Sequence, residues 1–177
     1  MEEKKAKCEI TLKFRDDSIV VKDARIIKKM DLVNRAITSE LPNWETEDTI
    51  FTLDSELPFL KAFGVFMISN ILKYRPPPAD DFTTTADKYP EANALDLEQL
   101  KTIIELANYT ESMDFMNSIG FVIAKKLDNL EVDQIAEFFG VDCKDDEDFF
   151  DENDGWTHPK AEMFKRLNPE QAKEQEK

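Results

Sequence analysis

Residues 96–127 read DLEQLKTIIELANYTESMDFMNSIGFVIAKKL, and this stretch decides the fold. Apolar residues recur in it at three- and four-residue steps in two runs, which predicts two amphipathic helices. The first run consists of Leu97, Leu100, Ile103, Ile104 and Ala107, and the second of Met116, Ile119, Ile123 and Leu127. Asp96 followed by Gln99 predicts a capping box at the start of the first helix, and Ser112 is a fair N-cap for the second.

The short polar break between these two helices holds Asn108 and Tyr109. Asn and Tyr are weaker helix formers than Ala and Leu, so a helix end is expected there. The residues alone leave two interpretations open. In one, Asn108 is a C-cap and Tyr109 is half buried. In the other, an amide and a phenol lie together at a surface, where a partner can contact them.

The first half of the chain mixes strand and helix patterns. Residues 8–21 predict a hairpin of two half-buried strands, because apolar and polar residues alternate on either side of a polar turn. A helical period marks residues 26–37, and residues 50–53 predict a third strand. Short strands that interleave with helices, followed by helices alone, predict an α+β fold.

An apolar helix and a loop are expected in the middle of the chain. Ser55 can cap this helix, and Pro58 is tolerated in its first turn. The helix is apolar almost all round, which is typical of a helix inside a domain, and three prolines force it to stop near Arg75. Residues 76–95 then predict a long loop rich in Pro, Asp and Thr.

After residue 128 the pattern predicts a short helix and then an acidic segment. Ile135, Phe138 and Phe139 mark the helix, and Gly140 is placed to terminate it. The acidic segment surrounds Phe149, Phe150 and, at its end, Trp156. Two interpretations of these aromatic residues stay open: they fold back as core, or they form an exposed apolar patch that a partner helix covers. The predicted parts are a tail at 1–7, a domain at 8–127, a helical extension at 128–156 and a charged tail at 157–177.

The composition excludes several classes of partner. Lys and Arg number 23 against 38 Asp and Glu, which gives a formal net charge of −15 and argues against nucleic acid and anionic membranes. Two cysteines form no disulfide framework, which favours a reducing compartment. The first residues are charged with no apolar run behind them, so we expect no secretory signal and a protein of the cytoplasm and nucleus.

The chain lacks the usual residue patterns of catalysis and cofactor binding. It has one histidine, His158, and four glycines that are far apart, so neither a nucleotide-binding glycine loop nor a His-based nucleophile site is predicted. With Gly155 at the turn of a calcium loop, Phe150 and Ala161 would stand where ligating carboxylates belong. We therefore expect no catalytic residue, no cofactor and no metal. An enzyme with an inconspicuous carboxylate pair has only the abundance of acids in its favour.

The order of these parts resembles the Skp-type adaptors, the small subunits of Skp–cullin–F-box (SCF) ubiquitin ligases. The resemblance spans about residues 8–156. Its anchors, in chain order, are the strand–turn–strand start, residues 73–78 (KYRPPP) with acids after them, residues 106–109 (LANY), the short helix at 135–139 and the acidic stretch that closes on Glu152, Asn153 and Trp156.

The resemblance implies a fold and a function. The fold would be a BTB/POZ domain followed by a helical F-box-binding extension. The protein would be a noncatalytic adaptor that bridges a cullin to F-box substrate receptors in ubiquitin-dependent degradation. Asn108 and Tyr109 would contact the cullin. Candidates for the F-box face, or for the core beneath it, are Met116, Ile119, Ile123, Ile135, Phe138, Phe139, Val141 and Trp156.

An alternative is another BTB/POZ-type interaction module, such as an elongin-C-like adaptor or a self-associating domain that forms a weak homodimer. It is motivated by the last helix of the extension. Phe149, Phe150 and Asp151 replace the basic step that the family carries there, and Gly155 interrupts the closing motif.

Overall fold

The alternating segments at the start of the chain form a three-stranded sheet. β1 (Cys8–Lys13) pairs antiparallel with β2 (Ser18–Val21) and parallel with β3 (Thr49–Thr52), so the order is β2-β1-β3. Ile10 and Leu12 point to the inner face and are fully buried, as the period of two predicts. The computed structural model describes residues 7–81, 83–141, 150–151 and 156–157, the last two pairs as backbone only.

Helices complete the fold around this sheet. Up to residue 128 they are α1 (Ala24–Ile27), α2 (Asp31–Glu40), α3 (Lys61–Asn70), a 3-10 helix (Ala86–Lys88), α4 (Pro90–Asn93), α5 (Leu97–Tyr109) and α6 (Met113–Leu127). The predicted α+β class is confirmed. Residues 1–128 and residues 129–177 form two separate compact units. None of the helices in the described ranges is both long and apolar enough to cross a bilayer.

The single helix predicted over residues 26–37 is wrong, because two helices occupy this segment. α1 ends at Ile27 and α2 begins at Asp31. Between them Met30 adopts φ −110° and its N–H donates to the Ile27 carbonyl oxygen at 2.9 Å. Ile27 and Met30 are both fully buried, so the break itself lies against the core.

The start predicted for the next helix, with Ser55 as its cap, is also wrong. Leu57 is fully buried and forms a parallel bridge with Phe14, which keeps this segment extended. α3 begins only at Lys61, whose N–H donates to the Asp16 carboxylate at 2.7 Å. The cap therefore comes from the β1–β2 turn and not from the preceding residues. α3 is not wholly internal either, since 46% of Val65 is exposed.

The second half of the predicted loop at 76–95 is helical and packed. The 3-10 helix and α4 flank Tyr89, which is 1% exposed and donates its hydroxyl to the Arg75 carbonyl oxygen at 2.5 Å. The Tyr74 hydroxyl donates to the Glu91 carboxylate and accepts from the Ala92 N–H, both at 3.1 Å. Burial, above all, raises the pKa of Tyr74. Aromatic side chains thus anchor a segment whose composition is typical of a loop.

The unit that begins at residue 129 contains α7 (Val132–Phe139) and the antiparallel backbone pair β4 (Phe150–Asp151) and β5 (Trp156–Thr157). The prediction of helices alone in the second half is therefore wrong, because the acidic segment ends in a strand pair. The predicted short helix and its termination at Gly140 are confirmed, since Gly140 adopts the left-handed φ of 67°. The tails at 1–6 and 158–177 and most of the acidic segment lie outside the described residues. Lys7, expected in the tail, donates its N–H to Asp48 at 2.7 Å.

Candidate partner-binding site

Helix α5 sets the position of the first candidate surface. Its start is the predicted capping box: the Gln99 N–H donates to the Asp96 carboxylate at 2.8 Å, and the Asp96 N–H donates to the Gln99 side-chain oxygen at 3.2 Å. Its buried residues are Leu100, Ile103, Leu106 and Ala107. Because this face packs inward against α3 and α6, the residues that follow in the last turn fall on the outside.

Asn108 and Tyr109 are both exposed at the end of α5. Tyr109 has 40% of its surface exposed, and its ring lies edge-on to that of Phe59 with centroids 5.9 Å apart. Leu60, the neighbour of Phe59, is 38% exposed. We call Phe59, Leu60, Asn108 and Tyr109 the α5-end patch. Local sequence patterns do not reveal Phe59 and Leu60 as surface residues, because both fall within the helix predicted between Ser55 and Arg75.

The interpretation of Asn108 as a C-cap is wrong, because α5 continues through Tyr109 and Thr110 is the C-cap. The Thr110 hydroxyl lies 2.9 Å from the Leu106 carbonyl oxygen and 2.9 Å from the Ser112 hydroxyl. Ser112 is the N-cap residue of α6, but its side chain makes no capping hydrogen bond. The two buried hydroxyls instead satisfy each other below the α5-end patch.

The turn after α5 holds a residue in an unusual conformation. Glu111 has φ 57°, which a residue other than glycine adopts only with support from its surroundings. Arg35 of α2 donates two hydrogen bonds to the Glu111 carboxylate, at 2.5 and 2.6 Å. These hydrogen bonds lower the pKa of Glu111 and raise that of Arg35. A charged pair thus ties the end of α5 to a helix far earlier in the chain.

A second ion pair fixes the start of α6. Lys29 donates to the Asp114 carboxylate at 2.7 Å, and Arg75 lies 3.9 Å from the same carboxylate. The hydrogen bond from Lys29 is the main reason that the pKa of Asp114 is lowered. Met113, beside this pair, leaves 52% of its surface exposed. Ion pairs therefore tie the turn after α5 to α2, and the first turn of α6 to the segment between α1 and α2.

The predicted F-box candidates on α6 belong mostly to the core. Ile119 is fully buried and Ile123 is 9% exposed, so neither offers much surface to a partner. Met116 is partly exposed. Ile119 and Ile123 are therefore core residues of α6.

The candidates on α7 are placed differently, because α7 has no buried residue. Phe139 is 62% exposed and Val141 47%, while Ile135 and Phe138 are partly exposed. The rings of Phe138 and Phe139 lie 5.1 Å apart. Val132, which the sequence analysis did not select, is 68% exposed. The side chain of Trp156 lies outside the described residues, where β5 is given as backbone only.

The described ranges contain no group of three or more His, Cys, Asp or Glu side chains placed to hold a metal ion. Cys8 is partly buried, and burial followed by the nearby Asp23 raises its pKa, which keeps it a thiol. His158 and the segment tested as a calcium loop fall outside the described residues.

Scanned against models of protein families, the sequence matches none. A search of curated proteins likewise finds no similar chain.

Proposed function

We propose that the protein is an adaptor with a BTB/POZ-type domain, which bridges a cullin to F-box substrate receptors in an SCF-type ubiquitin ligase. The observation that carries this proposal is the α5-end patch. An amide and a phenol stand exposed at a helix end, beside an apolar pair, in the segment that resembles the Skp-type adaptors.

The physical character of the α5-end patch suits a docking role. Tyr109 offers a rigid ring and a hydroxyl, a combination common at interface centres. Its edge contact with Phe59 and the clamp of Arg35 on Glu111 hold this ring and the neighbouring amide in place before a partner arrives. A preorganised surface loses less entropy on binding.

The second surface in this proposal is α7, which would contact the helices of an F-box. Exposed apolar side chains on a short amphipathic helix are suited to packing against a partner helix. Phe139, Val141 and Val132 supply most of this exposed apolar area. In this role the adaptor performs no reaction, and it acts by holding a substrate receptor near the ligase.

Cullin binding tests the first surface. The double variant Asn108→Ala/Tyr109→Ala is expected to bind a purified cullin N-terminal domain at least about thirtyfold more weakly, as loss of interface anchors typically does. Isothermal titration calorimetry measures this affinity. Glu105→Ala, an exposed residue one turn earlier in α5, is the matched control and should bind like the parent. Unchanged cullin affinity of a folded double variant would contradict the proposal.

Receptor choice tests the second surface. A synthetic F-box helix pair should bind the parent protein and lose affinity when Phe139→Ser removes the exposed ring, while cullin binding stays unchanged. Binding to a different helical box, with none to the F-box, would instead favour an elongin-C-like module. A concentration-dependent dimer that requires Phe139 would favour a self-associating domain.

A further inference from the structure

The free edge of β3 exposes backbone hydrogen-bonding groups. The Thr49 N–H donates to the Lys7 carbonyl oxygen at 2.7 Å, so the backbone N–H and C=O groups of Thr49 point toward β1. In a parallel ladder alternate residues face the same neighbour, so the N–H and C=O groups of Ile50 and Thr52 point away from β1. β3 is the last strand of the sheet, and the described part of the chain offers these four groups no hydrogen-bond partner.

β3 is short, with four residues, but its side chains do not protect this edge against pairing. Edge strands are commonly protected by lysine, proline or a bulge. β3 reads TIFT and contains none of these. Ile50, on the outer face, is 71% exposed, the most exposed of the large apolar side chains in the described residues. A β-branched residue of this kind favours packing against a cross-strand neighbour.

A negatively charged cavity opens at the start of the same strand. It has a volume of about 260 Å³. Its lining consists of Glu40, Leu41, Pro42, Asn43, Trp44, Glu47, Asp48, Thr49 and Ile50. Three carboxylates and four apolar residues are among its lining, and no lysine or arginine is. The cavity suits a cationic side chain whose aliphatic stem packs against the apolar lining residues.

We propose that the β3 edge binds an extended segment of a partner protein, in which lysine or arginine alternates with β-branched residues. The segment adds a fourth strand next to β3: its backbone pairs with Ile50 and Thr52, a β-branched side chain packs on Ile50, and a basic side chain enters the cavity. A second copy of this chain is disfavoured, because two β3 edges would bring Glu40, Glu47 and Asp48 against the same carboxylates. The proposal uses no residue of the α5-end patch.

The test uses the full chain and a capped peptide that alternates lysine with valine. Its binding is followed by nuclear magnetic resonance shifts and by amide hydrogen exchange. We expect slower exchange at the Ile50 and Thr52 amides and shifts along β3 and the cavity. The same peptide methylated at alternate backbone nitrogens cannot pair and should not bind.

Two sets of variants separate the contribution of backbone pairing to peptide binding from the contribution of charge. Ile50→Pro removes one outward donor without touching the β1 ladder, and it should weaken binding about tenfold, while Ile50→Val keeps the donor and should bind like the parent. Glu40→Gln/Glu47→Gln should weaken binding by about threefold and flatten its salt dependence. The proposal is overturned if the methylated peptide binds equally well, if the unmodified peptide does not bind at millimolar concentration, or if the β3 amides are already protected in a self-associated dimer. The peptide comparison decides the matter even if Ile50→Pro fails to fold.

Discussion

At the scale of single residues, glycine at position 64 shows how closely α3 approaches the sheet. A Cβ atom built on Gly64 would overlap the ring of Phe14, which is itself only 3% exposed. The absence of a side chain therefore permits the contact between helix and strand. No sequence pattern reveals this, because the two residues are fifty positions apart and a lone glycine in an apolar helix otherwise only weakens that helix.

Gly64→Ala is expected to lower the free energy of unfolding by about 2 kcal/mol, since the Phe14 ring has to leave its place in the core. Urea denaturation followed by circular dichroism measures the change. Gly120→Ala is the matched control: its Cβ would meet only Ile104, at 3.5 Å, so we expect a gain of about 0.5 kcal/mol from lower chain entropy. Equal effects of the two substitutions would contradict the assigned contact.

The pair of Arg35 and Glu111 makes a pH-dependent contribution to stability. The hydrogen bonds from Arg35 lower the pKa of Glu111 below its ordinary value of 4.5. A group with a lowered folded-state pKa stabilises the fold above its unfolded pKa, and this contribution is lost as the pH falls through the folded value. Arg35→Met is therefore expected to lower stability at pH 7 and to leave it little changed well below pH 4. Denaturation curves of the variant and the parent across this pH range measure the effect. If the pair makes no contribution, the two free energies of unfolding will differ by the same amount at every pH.

At the scale of elements, local signals located α5 and α6 well. The capping box at Asp96 and Gln99 and the regular apolar spacing depend only on neighbouring residues, and the structure reproduces them. The start of α3 could not be located in this way, because Asp16 caps it across 45 residues. The same holds for the α5-end patch, whose pair Asn108 and Tyr109 is visible in the sequence, whereas Phe59 reaches it only through tertiary packing.

Substitutions at Asp16 and Ser55 test which of the two residues caps the start of α3. Asp16→Ala should destabilise the protein by about 1 kcal/mol, the usual cost of a lost helix cap. Ser55→Ala is the matched control and should have no measurable effect, because Ser55 is exposed and precedes the extended bridge at Leu57. Thermal unfolding at neutral pH compares the two. A larger loss for Ser55→Ala would restore the helix start expected from local sequence.

At the scale of the whole molecule, the two proposed binding surfaces belong to different compact units. The α5-end patch lies within residues 1–128 and α7 within residues 129–177. A fragment that ends at Asp128 keeps the sheet and α1 to α6. We expect it to unfold cooperatively and to bind a cullin as tightly as the full chain, while F-box binding is lost. Calorimetry on the fragment and the full chain measures both affinities, and a fragment that binds the F-box equally well would place that surface elsewhere.

The left-handed residue at Glu111 limits what can be transplanted from this protein. The helix pair α5–α6 resembles a unit that could be transferred to another protein, because it has its own capping box and its helices pack against each other. Yet the left-handed turn that joins α5 to α6 is tied through Glu111 to Arg35, 76 positions upstream. If the pair were grafted onto another scaffold, the turn between the two helices would lose this support, unless a matching guanidinium, or a glycine at position 111, were grafted with it.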